Sequence, residues 1–176
     1  MIEEVILVDE NDQEIGLMEK MEAHLRGRLH RAFSVFIFNT KGELLLQKRA
    51  EDKYHSAGKW TNTCCSHPRY GEQTVDAANR RLKEEMGMHC KLVYGFSFLY
   101  KATLADGISE HEYDHVFFGL SNSLPLPDPT EVASFKYVNM DLLLNDINAN
   151  PEDYTAWLKI CFQRVMQTYQ EILDNV

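Results

Sequence analysis

Residues 60–68 bring a thiol and an imidazole within two positions of each other. Cys65 and His67 flank Ser66, just ahead of a charged stretch that ends at Gly87. A cysteine can act as a nucleophile, a proton donor or a metal ligand, and an imidazole can bind a metal or carry a proton. These residue types at this spacing indicate a metal-dependent enzyme.

Two more histidines and two glutamates could complete a metal site. His24 and His30 are six residues apart, so a loop or bend must bring them together. Glu110 and Glu112 are two apart in a strand pattern, which places both carboxylates on one face of the strand. With His67 as a third imidazole, this set suits Zn²⁺, Mn²⁺ or Fe²⁺ better than Mg²⁺.

The remaining histidines and cysteines receive a plainer interpretation. A single histidine is more often exposed, or satisfied within the core, than a metal ligand, by roughly two to one. We apply this interpretation to His55, His89, His111 and His115. Free cysteines are among the most buried residues. We therefore expect inert thiols at Cys64, Cys90 and Cys161.

The elements that must position these residues follow from the hydrophobic pattern. Strands are predicted over residues 5–8, 31–39, 43–47, 92–104, 109–120 and 135–138, with a turn at 105–107 and loops at 50–59 and 124–129. A helix is predicted over residues 72–86, where Val75, Ala78, Leu82 and Met86 form one stripe. A C-terminal helix carries Trp157, Ile160, Cys161, Val165 and Ile172 on one face. This order predicts one α+β domain over residues 1–176, an α/β sandwich of mixed sheets flanked by helices.

Composition excludes several classes of protein. The net charge of −9 argues against non-specific binding of nucleic acid. An anionic substrate could still bind where a few cationic side chains or a metal converge. Apolar runs are too short for a membrane span, and the N-terminus lacks a secretory pattern. The cysteine spacing fits no zinc finger, so we expect free thiols and a cytoplasmic location.

The helix over residues 72–86 carries most of the Nudix box, G-x5-E-x7-R-E-U-x-E-E-x-G-U, where U is apolar. Glu72, Arg80, Glu84, Glu85 and Gly87 match it, while Ser66 and Arg81 replace its first glycine and the glutamate after its arginine. In Nudix proteins these carboxylates hold divalent cations against a diphosphate. Arg81 removes one such ligand and adds a positive charge one turn from Glu85. A diphosphate could still bind, but the change argues against hydrolysis.

Over nearly its whole length, the sequence resembles the type I isopentenyl-diphosphate isomerases of the Nudix superfamily. That family also has arginine in place of the Nudix glutamate, although the segment from His24 to His30 is one residue shorter here than the family pattern. The matching positions are Glu19-Lys20, His24, residues 29–34 and 48–50, Lys53, residues 60–62, 65–68, 80–81 and 85–87, Tyr100, Glu110, Glu112 and Trp157.

The resemblance implies interconversion of isopentenyl diphosphate and dimethylallyl diphosphate by a proton shift through a tertiary carbocation. By similarity, Cys65 and Glu112 stand on opposite faces of the substrate, and one adds a proton while the other removes one. Tyr100 resembles a tyrosine that hydrogen-bonds this glutamate. Trp157 would lie against the cation, a contact that is worth about 2 kcal/mol when it is desolvated.

The resemblance also implies two cation sites and a small-molecule diphosphate as the partner. One tightly bound Zn²⁺ or Mn²⁺ would be held by His24, His30, His67, Glu110 and Glu112. A Mg²⁺ would bridge Glu85, the main-chain carbonyl of Cys65 and the phosphate oxygens. The diphosphate would be bound by Lys20, Arg49, Lys53 and Arg81. We expect a monomer or a weak homodimer.

Two other functions compete with an isomerase. A Nudix hydrolase of a nucleoside diphosphate derivative is supported by Glu84 and Glu85 but opposed by Arg81. A non-catalytic Nudix-fold binding protein should show gaps at the catalytic positions, yet Cys65 and Glu112 are both present.

Overall fold

Nine strands form one mixed sheet across residues 3–104 and 107–174, the parts of the chain that the computed structural model describes. The strands are β1 (Glu4–Val8), β2 (Glu14–Glu19), β3 (His30–Phe38), β4 (Glu43–Arg49), β5 (Trp60–Thr61), β6 (Cys64–Ser66), β7 (Leu92–Thr103), β8 (Ser109–Leu120) and β9 (Val132–Asn139). The helices are α1 (Lys20–Leu25), α2 (Thr74–Met86), α3 (Met140–Ala149) and α4 (Ala156–Asp174), with a 3₁₀ turn at Pro151–Asp153.

Strand β3 lies at the centre of the sheet. It runs parallel to β8 in a continuous register from His30 opposite Glu112 to Phe38 opposite Leu120. It also pairs antiparallel with β1, β4 and β6. Eight of its nine residues are buried, as expected for a strand that is covered on both faces. The parallel pairing brings the start of β3 beside the first half of β8.

Alternate residues of β3 point into two separate cores. Phe36 packs with Leu158 and other apolar residues of α3 and α4, whereas Ile37 packs with Leu82 on the α2 side. Burying one such side chain contributes roughly 1.5–3 kcal/mol relative to leaving it exposed. The sheet is therefore covered by α2 on one face and by α3 and α4 on the other, which confirms the predicted α+β sandwich.

Helix α2 follows the predicted stripe except at its start. Ala78, Leu82 and Met86 are fully buried, while Val75 is 36% exposed. The helix ends at Gly87, whose φ of 63° lies in the left-handed region and whose N–H donates to the Lys83 carbonyl. A side chain could not be accommodated at Gly87, because a Cβ would lie 2.5 Å from the Leu126 carbonyl oxygen.

The structure differs from the predicted elements in its short segments and in its C-terminal part. The short elements β2, α1, β5 and β6 were not predicted from the sequence. The C-terminal segment contains two helices and a 3₁₀ turn, and Ile160 is 51% exposed, so it does not share the buried face of α4. Of the predicted turn at 105–107, residues 105 and 106 lie outside the described residues.

No helix in the described ranges is long and apolar enough to cross a membrane.

Candidate active site

A cleft opens at the middle of the sheet. Side chains of several strands meet there with side chains of α1, α2 and α4. One side presents imidazoles and carboxylates, and another presents the ends of lysine and arginine side chains. Predicted site residues that line the cleft are Lys20, Arg49, Lys53, Cys65, His67, Arg81, Glu85, Tyr100, Glu110, Glu112 and Trp157. His24 and His30 are completely buried beside it.

The short helix α1 and the start of β3 position two of the imidazoles. Nδ1 of His24 donates to the Lys20 carbonyl at 2.6 Å, and Nδ1 of His30 donates to the Arg28 carbonyl at 2.8 Å. Since a carbonyl can only accept a hydrogen bond, each Nδ1 carries a proton, and Nε2 is the ring atom left to face the carboxylates or a metal. The turn between the two elements supplies the bend that the six-residue spacing requires.

His67 and Glu112 complete a first ligand group. Nε2 of His67 lies 3.0 Å from Glu112 Oε1 and 3.2 Å from His30 Nε2. One ligand atom from each of His24, His30, His67 and Glu112 lies within 4.8 Å of the others. Burial lowers the pKa of His67 to about 4, so its ring is neutral near neutral pH. This is the protonation state in which an imidazole binds a metal.

Glu112 is held in the charged form. Burial would raise the pKa of its carboxyl, but the neighbouring imidazoles of His30 and His67 outweigh burial and hold that pKa well below the usual range. Its second oxygen, Oε2, accepts a hydrogen bond from the Tyr100 hydroxyl at 2.7 Å. The hydrogen bond between Tyr100 and Glu112 that the resemblance implied is therefore present.

Glu110 belongs to a second group of possible ligands, which also includes His55. Its Oε1 lies 2.8 Å from Nε2 of His55, and His24, His55 and Glu110 place ligand atoms within 4.8 Å of one another. The sequence favoured an exposed or satisfied core histidine at position 55 over a metal ligand; the structure places its ring in the lining of the cleft, in contact with Glu110. His24 is common to both ligand groups.

The chemistry of the two groups fits a divalent cation. Glu110 Oε2 and His24 Nε2 lie 3.3 Å apart, and neither atom has a hydrogen-bond partner among the described residues. Both atoms are buried, and leaving a buried polar atom unpaired costs about 1–3 kcal/mol. A cation between imidazole and carboxylate ligands would satisfy both atoms, and this donor set suits Zn²⁺ or Mn²⁺.

The two adjacent cysteines point in opposite directions, because they lie in strand β6. Cys65 is partly exposed and lines the cleft, whereas Cys64 is fully buried in the core beneath α2. Burial raises the pKa of the Cys65 thiol and outweighs the opposite effect of Arg49. The thiol therefore carries its proton, which is the form that a proton donor needs.

Most cationic side chains of the cleft are paired with carboxylates. Arg81 donates to Glu84, to Glu85 at 2.6 Å and to Glu131 at 3.2 Å. Lys53 also pairs with Glu131. These pairs hold positive charge at the mouth of the cleft, next to Glu85 of the Nudix box.

Lys20 and Arg49 approach the cleft from the other elements. Lys20 pairs with Glu3 at 3.1 Å. Arg49 is 7% exposed and lies 5.5 Å from the ring of Trp157. Its Nη2 donates to the His55 carbonyl at 3.1 Å, while its buried Nε has no hydrogen-bond partner in the described part of the chain.

The Nudix-box carboxylates have different surroundings. Glu85 is buried, lines the cleft, and accepts a hydrogen bond from Gln47 at 2.9 Å as well as from Arg81. Glu84 lies outside the cleft lining, and Glu72 accepts two hydrogen bonds from Arg80, at 2.8 and 2.9 Å. Of these three carboxylates, only Glu85 lines the cleft, where it could hold a cation.

The other three histidines lie outside the cleft lining. His89 is exposed, His111 donates to the Gly27 carbonyl on the opposite face of β8, and His115 contacts Asp12. Five further residues line the cleft and were not predicted as site residues: Phe33, Gln47, Tyr54, His55 and Ser66. Neither Tyr54 nor His55 gave a signal, since both lie in a segment without periodicity.

Comparison with known proteins identifies the family and agrees with the fold. The NUDIX domain matches residues 28–158. The isopentenyl-diphosphate Delta-isomerase of Pectobacterium atrosepticum is 50% identical over 95% of this chain and 93% of its own. Isopentenyl-diphosphate Delta-isomerase 1 of Aromatoleum aromaticum is 52% identical over 97% of each chain.

A solved structure shows the same fold at much lower sequence identity. The protein DR0079 from Deinococcus radiodurans is 22% identical, with a TM-score of 0.78 over 92% of this chain and 98% of that one. This likeness concerns the fold alone. The identities to the two curated relatives, over nearly their full lengths, confirm the resemblance drawn from the motifs. The chain belongs to the isopentenyl-diphosphate Delta-isomerase family, within the Nudix fold.

Proposed function

We propose that this protein interconverts isopentenyl diphosphate and dimethylallyl diphosphate. The observation that carries the proposal is the content of one cleft: a protonated thiol at Cys65 and the hydrogen-bonded pair of Tyr100 and Glu112. An isomerisation of this kind needs one group that gives a proton to the alkene and one that takes a proton two carbons away. A hydrolase of the Nudix type needs neither the thiol nor the tyrosine.

The proton shift can be written with these residues. One of Cys65 and Glu112 protonates a terminal carbon of the double bond, and the tertiary carbocation forms at the branched carbon. The other removes a proton from the carbon on the far side of the cation, which moves the double bond. Tyr100 holds Glu112 by the hydrogen bond to Oε2 and offers a path for its proton. The substrate loses and gains one proton, so no oxidant is needed.

The metal ligands of this proposal are His24, His30, His67, Glu110 and Glu112, around one tightly bound Zn²⁺ or Mn²⁺. Their convergence and the unpaired buried atoms of His24 and Glu110 support it. When bound, the cation would supply fixed positive charge that orients Glu112 and tunes its acidity. The protein's own contribution is to fix the tautomers of His24 and His30 through main-chain carbonyls.

The diphosphate would bind at the cationic mouth of the cleft. Lys20, Arg49, Lys53 and Arg81 line it, and their charges can exchange carboxylate partners for phosphate oxygens. Glu85 and the main-chain carbonyl of Cys65 would hold a Mg²⁺ that arrives with the substrate. The hydrocarbon part of the substrate would then lie toward Cys65 and Trp157.

Trp157 suits the cation intermediate. Its ring lines the cleft, and its Nε1 donates to Asn62 at 3.1 Å, which fixes the ring orientation. An aromatic face stabilises a desolvated cation by about 2 kcal/mol. The ring is also 4% exposed within the α4 core, so packing and catalysis use the same side chain.

One assay tests the proposal. Purified protein with Mg²⁺ is given isopentenyl diphosphate, and dimethylallyl diphosphate is followed as the product. A parallel reaction with nucleoside diphosphate derivatives follows phosphate release. We expect isomerisation without phosphate release. Phosphate release without isomerisation would instead identify a hydrolase, and binding without either reaction would identify a non-catalytic protein.

We propose further that residues 1–176 act as one catalytic unit in the cytoplasm, as a monomer or a weak homodimer, without nucleic acid. The thiols of all four cysteines are free, which supports a reducing compartment. The acidic net charge of −9 supports a small anionic substrate that binds through local cations rather than a nucleic acid.

A further inference from the structure

We propose that His55 is a positioning residue of the metal site, one that aims Glu110 at the cation. The inference rests on the proposed function, because Glu110 is there a metal ligand. His55 itself does not contact the cation in this proposal. Its role is to hold one carboxylate oxygen so that the other is directed inward.

The contacts of Glu110 divide cleanly between its two oxygens. Oε1 lies 2.8 Å from Nε2 of His55. Oε2 lies 3.3 Å from Nε2 of His24 and has no hydrogen-bond partner among the described residues. Oε2 is therefore the oxygen left for a metal. A hydrogen bond to the other oxygen of a ligand carboxylate fixes its orientation and commonly supports metal affinity.

The ring of His55 is itself held from several sides. Tyr54 packs edge-on against it, with ring centroids 4.4 Å apart, and Trp157 packs edge-on at 5.9 Å. Because the side chain of His55 is 6% exposed, water has little access to its hydrogen bond with Glu110. A ring constrained in this way can direct a carboxylate with precision.

The main chain around His55 is tied to the substrate side of the cleft. Its carbonyl accepts a hydrogen bond from Arg49 Nη2 at 3.1 Å. The next residue, Ser56, has a φ of 49°, which a residue with a side chain rarely adopts. Main-chain hydrogen bonds from Gly58 to Arg49 and from Arg49 to Lys59 close the turn. Backbone strain of this kind persists where the surrounding structure holds it, as at functional sites.

One residue thus joins two parts of the proposed site. The side chain of His55 orients Glu110 of the metal site, and its carbonyl orients Arg49 of the diphosphate site. Substitution of the side chain alone should disturb the first contact and leave the second in place. This separation allows a test that activity measurements alone could not provide.

The test measures metal affinity by chelator competition on the metal-loaded protein, for the parent, His55→Ala, His55→Gln and His89→Ala. We expect His55→Ala to bind Zn²⁺ about 10–100-fold more weakly, the range typical for loss of a hydrogen bond to a metal ligand. His55→Gln should recover part of the affinity, because its amide can donate to Glu110. The exposed His89 is the matched control, and His89→Ala should bind as the parent does.

Substitution with Co²⁺ separates positioning from direct ligation. The visible absorption bands of bound Co²⁺ report the number and type of its ligands. We expect His55→Ala, loaded at excess Co²⁺, to keep the band positions and intensities of the parent. A changed spectrum would make His55 a direct ligand and overturn the positioning role.

The failure of this inference differs from the failure of the proposed function. Unchanged affinity in both His55 variants, while the parent binds tightly, would overturn the role of His55 alone. A parent that holds no tight metal would overturn the metal site of the proposed function. If His55→Ala does not fold, as judged by circular dichroism, the comparison of His55→Gln with the parent decides the question.

Discussion

At the scale of single residues, neighbours in sequence have unlike surroundings. Cys64 and Cys65 are adjacent, yet β6 points the first into the core beneath α2 and the second into the cleft. Their thiols have the same intrinsic chemistry, so position alone must distinguish their roles. The two residues therefore form a matched pair for mutagenesis.

Cys65→Ala or Cys65→Ser should nearly abolish isomerisation while leaving the fold intact. Loss of a positioned general acid or base costs about 10²–10⁴-fold in rate. Cys64→Ala removes a buried sulfur without touching the cleft, so it should remain active with a somewhat lower unfolding temperature. The measurement is the rate of dimethylallyl diphosphate formation. If Cys64→Ala were the inactive variant, the assignment of Cys65 would be wrong.

Arg81→Glu should raise the KM for isopentenyl diphosphate. The variant removes a cation from the mouth of the cleft and places a fourth carboxylate beside Glu84, Glu85 and Glu131, which Arg81 now contacts. Loss of a charge-assisted contact costs roughly 1.5–3 kcal/mol, and repulsion of the substrate adds to it.

The control for this charge reversal is Lys83→Glu, which makes the same change on an exposed face of α2. Its KM should stay close to that of the parent. Steady-state kinetics over a range of Mg²⁺ concentrations measures both variants. An unchanged KM and Mg²⁺ dependence in Arg81→Glu would place Arg81 outside the diphosphate site.

At the scale of elements, a bidentate ion pair anchors α2 to the segment before it. Arg80 donates from Nε and Nη2 to the carboxylate of Glu72, and the N–H of Arg69 donates to the same carboxylate. This pair holds the middle of the helix, next to Arg81, against the segment before it. The ion pair therefore positions α2 and also stabilises the folded protein.

Glu72→Gln should lower the free energy of unfolding by roughly 0.5–1 kcal/mol near neutral pH, a value limited by solvent screening. The hydrogen bonds from Arg80 lower the pKa of Glu72 below its usual 4.5. A carboxyl with a lowered folded-state pKa adds stability above its unfolded pKa, and this stability is lost as the pH falls through the folded pKa.

The difference between parent and Glu72→Gln should therefore shrink as the pH falls below 4.5. Urea unfolding at several pH values measures it. The exposed Glu152 provides the control, and Glu152→Gln should show no such dependence. A difference that stays constant down to strongly acidic pH would show that the ion pair is not its source.

The long periodic elements were predictable from the sequence, while the short ones were not. Strands β7 and β8 were predicted to within one residue of their bounds, since each has twelve residues of strand-forming pattern. By contrast, β5 and β6 have two and three residues. Pairing with β3 and β4, and not local propensity, makes them strands.

The candidate site was likewise predictable only where local pattern determines it. Glu110 and Glu112 share a face because β8 alternates, which spacing alone predicted. The residue types marked His24, His30 and His67 as possible ligands, but spacing could not show that they meet, because they come from α1, β3 and the segment after β6. His55 was missed because tertiary packing against Tyr54 and Trp157, which spacing cannot reveal, turns its ring into the cleft.

At the scale of the whole molecule, metal binding should stabilise the native state. The ligands converge only in the folded chain, so a metal at about 100 times its Kd adds about 2.7 kcal/mol. For a protein of this size that corresponds to a rise of roughly 5–10 °C in Tm. Elemental analysis after desalting should find about one tight metal per chain, as expected from the ligand set.

Removal of His67 tests this coupling. The variant His67→Ala should lose most of the metal and most of the thermal shift, whereas His89→Ala should keep both. Differential scanning calorimetry with and without chelator provides the measurement. Full metal retention by His67→Ala would remove His67 from the ligand set.

The parallel register of β3 and β8 has a consequence for the order of folding. His30 meets Glu112 only when two strands separated by β4, β5, β6, α2 and β7 have paired. Contacts between distant parts of a chain form slowly, because a long loop must close first. Metal capture should thus follow the closure of the sheet. Added metal should leave the refolding rate unchanged and slow unfolding, since it stabilises interactions that are absent from the transition state. In stopped-flow experiments, added metal should therefore change only the unfolding rate constant, because the metal site is complete only after β3 and β8 have paired.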